Sequence, residues 1–402
     1  VNGNAPSPIA LNSLAQDRQE VIETLSDGVK LISAPACGYA LISETEVPTH
    51  PVETRSTDGK IWLSNGLVEL NIGVGGRLES VRDIATDREL MDGSGNQFHL
   101  LNDHPNLWNA WDIDAPAMDD YEIIKGDSLP ELVESGPLRA IVDVELTFGS
   151  SRLTQRIILR ANSRRIDFET EVDWQERHRL LKVAFPTTIH TNRATCEVQH
   201  GHIERETRKN PPIETSRFEV CAQAWVDLSE PDFGVALLNN GRYGHDFRGS
   251  EMRLSLLKGA HAPDPHADLG LHQFTYSLFP HEGTAVAGRV PEEAQALNNP
   301  IMVREANAPH TSKLESQSWM SFQQDGVVLE ALKKAEDGNG YIARFRECYG
   351  TRKEVSLDFN LPLASVQEVD LLERPLEFGA SSLTKIVLRP FDLRSFRLTM
   401  AK

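Results

Sequence analysis

The chain has 402 residues, 40% of them hydrophobic and 25% charged, which fits a folded globular protein of two or three domains and argues against disorder. Lys and Arg number 41 against 59 Asp and Glu, a net charge of −18. Such a surface repels nucleic acid and anionic membranes, so neither is expected as a partner.

Cys37, Cys196, Cys221 and Cys348 are scattered and form no CxxC pair. Zinc-ribbon and redox motifs are thereby excluded, and reduced thiols in a cytoplasmic protein are expected. No stretch approaches the roughly 18 apolar residues of a membrane-spanning helix, and the start lacks a charged-then-apolar signal pattern. The first residue, Val1, is read as the start of a processed or excised polypeptide.

In chain order, the opening fifty residues carry strands around Gln19–Thr24 and Lys30–Ser33. These are too few to close a core and are expected to pair with another part of the protein, one that this chain need not contain. Period-2 alternation then dominates. Lys60–Ile72 reads as strand, Asn65-Gly66 turn, strand, and Gly73-Val-Gly-Gly76 turns into an alternating run to Asp83. Arg139–Phe148, Leu153–Arg160 and Arg165–Asp173 follow as three consecutive strands, separated by Gly149-Ser-Ser and Ala161-Asn-Ser. Val290–Leu297 is a short helix with Pro291 in its first turn. Alternation restarts at Gly326–Leu332, Gly340–Arg346, Lys353–Phe359 and Ser382–Leu388. The fold expected is all-β: a partial small β domain over residues 1–50, a large antiparallel supersandwich over 51–315, and a smaller sandwich over 316–402.

Chemistry is harder to read. There is no GxSxG, no P-loop, no GxGxxG after a strand and no HExxH. His200-Gly-His202 would set two imidazoles on one strand face, with Glu204 and Glu206 on the same parity. A zinc site needs defined geometry from four ligands, so an ordinary polar face is the better reading. Two loops carry a load suited to sugars, aromatic faces beside amides and carboxylates. One is Asn102–Asp114, with Trp108, Trp111, Asn106, Asn109 and Asp112; the other is Asn239–Asp246, with Arg242, Tyr243 and His245. An ordinary hairpin loop fits each equally well.

The residues also resemble a known family in a long, ordered series. Ser33-Ala-Pro-Ala-Cys-Gly-Tyr39, Leu63-Ser-Asn-Gly-Leu-Val-Glu-Leu70 and Gly76-Arg-Leu-Glu-Ser-Val-Arg-Asp83 come first. Asp103-His-Pro-Asn106 with Ala110-Trp-Asp-Ile113 follows, and then Val172-Asp-Trp-Gln-Glu-Arg-His-Arg-Leu-Leu-Lys-Val-Ala-Phe-Pro186. Gly201–Arg205, Trp225–Glu230, Gly234–Asn239 and Phe274–His281 continue in order. From about Asn12 to its end, the chain resembles the C-terminal β-rich part of the family 38 retaining α-mannosidases, in the branch of the bacterial and cytosolic or vacuolar enzymes. It departs at Asn240 and Arg242, where the family has Asp and Lys.

The resemblance implies a galactose mutarotase-like supersandwich, an α-mannoside substrate, and an N-terminal catalytic domain of the same protein. That domain would carry the nucleophile, the acid/base and the zinc ligands, leaving no catalytic or metal residue here. A loop lent to the sugar site, Asn239–Asp246, would bind with Asn239, Arg242, Tyr243 and Asp246, joined by Trp111 of the other loop, and a homo-oligomer is compatible with this. Two other functions fit less of the chain: a carbohydrate-binding module using Trp108 and Trp111, and an aldose epimerase drawing on His200, His202 or Glu204. The acidic and basic stretch around Gln175–His178 is expected to fix a strand-to-strand corner by ion pairs and capping.

Overall fold

A computed structural model describes residues 7–24, 28–42, 45–306, 315–322 and 325–401. The chain forms two compact units: Pro48–Val198 with Ile203–Val290, and Val1–Val47 with Gln199–His202 and Pro291–Lys402. Strands dominate both, in antiparallel sheets.

The larger unit is built on three sheets. A five-stranded meander runs through Glu53–Thr57, Lys60–Ser64, Val68–Ile72, Leu78–Asp83 and Arg88–Glu89. Gly66 turns it at a φ of 76°, a left-handed conformation that a residue without Cβ adopts without strain. A nine-stranded sheet is ordered Glu131–Ser135, Arg139–Phe148, Ser151–Arg160, Ile166–Trp174, Gly270–Glu282, Phe233–Asn239, Trp225–Ser229, Arg193–Val198 and Gly201–Glu206. A six-stranded sheet is ordered Tyr121–Ile123, Gln97–Asn102, Arg179–Pro186, Glu251–Lys258, Gly244–Arg248 and Val220–Cys221.

Alternation assigns the faces of these strands. Ile166, Phe168, Val172 and Trp174 are buried, while Glu169 and Asp173 face out. Asp167 breaks the rule: it is buried, held by Arg160, Arg165 and the Ser277 hydroxyl. Phe168 and Tyr276 of the nine-stranded sheet meet Phe185 of the six-stranded sheet at ring-centroid distances of 5.7 and 6.1 Å. Between the sheets the Tyr276 hydroxyl donates to Asn96 Oδ1 (2.7 Å), and Gln155 Nε2 donates to Tyr276 Oη (2.8 Å). This buried polar chain is satisfied, so it specifies the sandwich without leaving a desolvated group unpaired.

The Gln175–His178 corner joins two strands that lie in different sheets. Its Glu176 accepts from Ser150 N (2.7 Å) and Ser151 Oγ (2.9 Å), and His178 N donates to Gly259 O (2.7 Å). Capping contacts hold it, together with an Arg177 bond to the Pro265 carbonyl.

In the smaller unit the opening strands find partners within the chain. Ser7–Asn12 pairs with Met302–Ala306 on one side and Gly38–Leu41 on the other, and Gly38–Leu41 also pairs with Gln317–Ser318. The strands expected around Gln19–Thr24 and Lys30–Ser33 are Arg18–Thr24 and Gly28–Ala34, and they pair with each other rather than with another part of the protein, while residues nearly three hundred positions apart close the sheet of Ser7–Asn12. Val290–Asn298 is the short helix. Val327–Lys334, Tyr341–Glu347, Leu393–Met400 and Leu363–Val369 make a four-stranded sheet over a core that includes Phe345, Phe396 and Leu388.

Candidate functional site

At one end of the large sandwich the strands deliver both sugar-like loops. Asn239 ends a fully buried strand and is itself buried. Its Oδ1 accepts from Gly241 N (3.0 Å) and Arg242 N (2.8 Å), while its Nδ2 donates to Gln223 O (2.8 Å). Asn239 therefore shapes the loop and is unavailable to a ligand. The Arg242 guanidinium lies over the Phe274 ring at 4.5 Å, and burial pulls its pKa below the usual arginine value. Tyr243 is 51% exposed.

Trp108 and Trp111 are 67% and 71% exposed, edge to face at 6.3 Å. Their loop is tied down from beneath. Asn109 Oδ1 accepts from His261 N (2.6 Å), and Lys258 pairs with Asp103 and donates to Asp112 O (3.0 Å). His104, His178 and His261 pack in series at 4.6 and 4.4 Å. Burial, then the charges of His104 and His261, lower the His178 pKa. Arg242 feels the charge of Asp268, whose carboxylate accepts from Lys258 N (3.4 Å). Tyr243 and Trp111 are exposed, Arg242 is half-buried over Phe274, and Asn239 and Asp246 are buried.

Asp246 belongs instead to a buried ion network on the six-stranded sheet. Lys182 Nζ contacts Asp246 Oδ2 (3.0 Å), Glu219 Oε2 (2.9 Å) and Ser255 Oγ (2.7 Å). Arg253 reaches Asp246 Oδ1 at 2.7 Å, and all of Lys182, Asp246 and Arg253 are buried. Burial acts to raise the Asp246 pKa, but Lys182 and Arg253 more than offset it and hold the carboxyl below its ordinary range. His99 stacks on Tyr121 at 4.3 Å with both ring nitrogens buried and unpartnered. Burial first, then Arg253 and Arg248, push its pKa down to about 4; burial pushes His245 down to about 4 as well. Reading the sequence missed this network. Its signal was present in part: Lys182 stands inside the apolar run Leu180–Phe185 and Arg253 between Met252 and Leu254, where a buried charge must be paired.

The His200-Gly-His202 pair does not share a strand face. His200 takes a left-handed φ of 63° in the turn before Gly201–Glu206. The His202 ring meets Phe391 edge-on at 5.0 Å, and Glu204 pairs with Arg193. Among the described residues no group of three or more His, Cys, Asp or Glu is placed to hold a metal ion. Also among the described residues, no helix is long and apolar enough to cross a membrane.

Residues 63–266 match the family model described as the glycosyl hydrolases family 38 C-terminal domain, and residues 326–396 match that family's C-terminal beta sandwich domain. The chain is 35% identical over 415 residues to human Alpha-mannosidase 2C1, covering 98% of this chain and 40% of that protein. It is 34% identical over 409 residues to Alpha-mannosidase G of Dictyostelium discoideum, covering 94% and 37%. It thus spans about two fifths of the length of these curated relatives. A crystal structure of an alpha-mannosidase from Enterococcus faecalis V583 shares the fold, with a TM-score of 0.75 at 16% identity over 98% of this chain and 51% of that one. The chain belongs to glycoside hydrolase family 38, and its sandwiches are that family's C-terminal β region.

Proposed function

We propose that this chain is the C-terminal region of a retaining α-mannosidase that hydrolyses terminal α-mannosides. In this reading it supports the catalytic domain and lends the Asn239–Asp246 loop to the sugar site. The observation that carries it is identity of about one third across nearly the whole chain to proteins named alpha-mannosidases. Bond cleavage and zinc belong to residues outside this chain. A retaining reaction needs a nucleophilic carboxylate and an acid/base partner flanking the glycosidic bond, and this region supplies neither.

Arg242 and Tyr243 bind substrate hydroxyls here. The Asn239 turn fixes their backbone, and Phe274 supports the guanidinium from below. In the full-length enzyme, Arg242→Ala is expected to lower kcat/KM for an aryl α-mannoside by about 10- to 100-fold, the value of a lost charge-assisted hydrogen bond. Unchanged kinetics in both Arg242→Ala and Tyr243→Ala would remove the loop from the site while leaving the enzyme assignment standing. The exposure of Trp108 and Trp111 favours a second role for the neighbouring loop, as a glycan contact. Quenching of Trp fluorescence by mannose oligosaccharides, lost in Trp111→Ala, is its expected signature, and identical quenching in that variant would remove the role.

A further inference from the structure

The larger unit holds a cleft of about 420 Å³, lined by Ile203, Glu204, Arg205 and Glu206 and floored by Phe247 and by Asp246, the last residue of the Asn239–Asp246 loop. That volume lies within the range of small-molecule sites. Its walls carry Arg193, Arg205, Lys209 and Arg217 opposite Glu204, Glu206 and Glu214.

Pairing decides what this charge can do. Arg193 contacts both Glu204 and Glu206, and Arg217 is paired with Glu214 at 3.2 Å. On the floor, Asp246 is neutralised by Lys182 and Arg253 from the sheet behind it. Two cations remain whose hydrogen bonds run to backbone carbonyls: Arg205 to Cys221 O (3.2 Å) and Lys209 to Phe218 O (3.2 Å). Arg205 Nε is buried without a partner. The cleft therefore holds two cationic groups hydrogen-bonded to carbonyls rather than to a carboxylate, with Asp246 acting on Lys209 only through space, inside a chain whose overall charge is −18. The local cations attract an anion there against the negative field of the whole chain.

We infer that this cleft binds a phosphate monoester of a small polyol, with the phosphate between Arg205 and Lys209 and the hydroxyls donating to the wall carboxylates. Guanidinium and ammonium groups together suit a tetrahedral dianion, the first through paired N–H donors and the second as a compact charge. Glu204, Glu206 and Glu214, already paired with Arg193 and Arg217, keep acceptor oxygens that the hydroxyls of a polyol can satisfy and that inorganic phosphate does not use. Burial already holds the Lys209 pKa below its ordinary value, a cost that a bound dianion relieves.

The test is calorimetric titration of the full chain with glucose 6-phosphate, glucose and inorganic phosphate. Glucose 6-phosphate is expected to bind, glucose to give no heat, and inorganic phosphate to bind at least about 10-fold more weakly, a difference of about 1.4 kcal/mol. Lys209→Met and Arg205→Gln should each weaken glucose 6-phosphate binding by about 10-fold or more, with melting temperature as the check on folding. Lys209→Arg keeps the charge and should retain binding even if the neutral variants prove unstable. Absence of binding at millimolar ligand, equal affinity for glucose, equal affinity for inorganic phosphate, or undiminished affinity in folded Lys209→Met each overturns the assignment.

Discussion

Lys182 is the residue on which the buried charge of the six-stranded sheet balances. It is fully buried, and its ammonium is shared by Asp246, Glu219 and Ser255. Replacing it with Met keeps the length of the side chain and strands two carboxylates with Arg253 as their nearest buried cation. Removing one partner of a buried pair costs about 3–5 kcal/mol, because the remaining charge stays desolvated. Lys182→Met is therefore expected to lower the free energy of denaturant unfolding by that amount; a loss under about 1 kcal/mol would mean that water reaches the network.

His99 sets the pH response of the same face. In the unfolded chain an imidazole protonates below about pH 6.5, whereas the folded His99 and His245 do so only near about 4. The unfolded state thus takes up more protons across this window. Stability is undiminished above pH 6.5 and falls as pH drops toward 4. Asp246 adds a second acid limb lower down, since a carboxyl held below its usual range gives stability that is lost only as pH falls through its folded pKa. His99→Phe keeps the stack on Tyr121 and loses no hydrogen bond that the ring nitrogens make. It is expected to flatten the melting-temperature profile between pH 6.5 and 4 while leaving the value at pH 8 unchanged or raised. A profile parallel to that of the parent protein would contradict the neutral, unpartnered state of the ring.

Among the elements, strands were legible and sheets were not. Alternation located Lys60–Ser64, Val68–Ile72, Arg139–Phe148 and Ile166–Trp174 because half-buried strands write their two faces at period 2. Nothing local says that Ile166–Trp174 and Arg179–Pro186 enter different sheets, or that the neighbour of the first is Gly270–Glu282, about a hundred residues later. The loop elements divide in the same way. Asn239-Asn-Gly-Arg was readable as a turn, but its Asn was counted among the binding residues because composition does not reveal which way an amide points. The structure turns the amide oxygen to the turn and its nitrogen to Gln223 O. Asn239→Ala removes the acceptor of two backbone N–H groups and the donor to Gln223 O in a buried setting, a loss of about 1–3 kcal/mol. Faster amide exchange at Gly241 and Arg242 is the expected local sign. Asn239→Asp keeps the acceptor and should preserve their protection in part; equal exchange in the Ala variant and the parent protein would show that the turn is held by other contacts.

Across the whole molecule, each unit carries a core that depends on distant segments of sequence, so its integrity answers to cuts made far away. In the smaller unit, Ala10, Ile22, Ile32, Ala34, Ala40 and Ile42 pack with Ile301, and Ser7–Asn12 supplies the ladder for Met302–Ala306. Arg18 adds a bond to Asn299 O at 2.7 Å. Deleting residues 1–47 would strip that cluster of all but Ile301 and leave an apolar strand edge open, which invites association. The larger unit has no residue in that segment. Its core includes Trp174 and Trp225, both buried, and of the six Trp in the chain Trp319 alone lies in the smaller unit. Near-UV circular dichroism is thus weighted toward the larger unit. The deletion is expected to retain most of that signal and its cooperative melt, while limited proteolysis cuts rapidly between residues 291 and 322. Loss of the Trp signal together with the smaller unit's protection would mean that the two cores fold as one, and that the partition seen in the contacts is not a partition in stability.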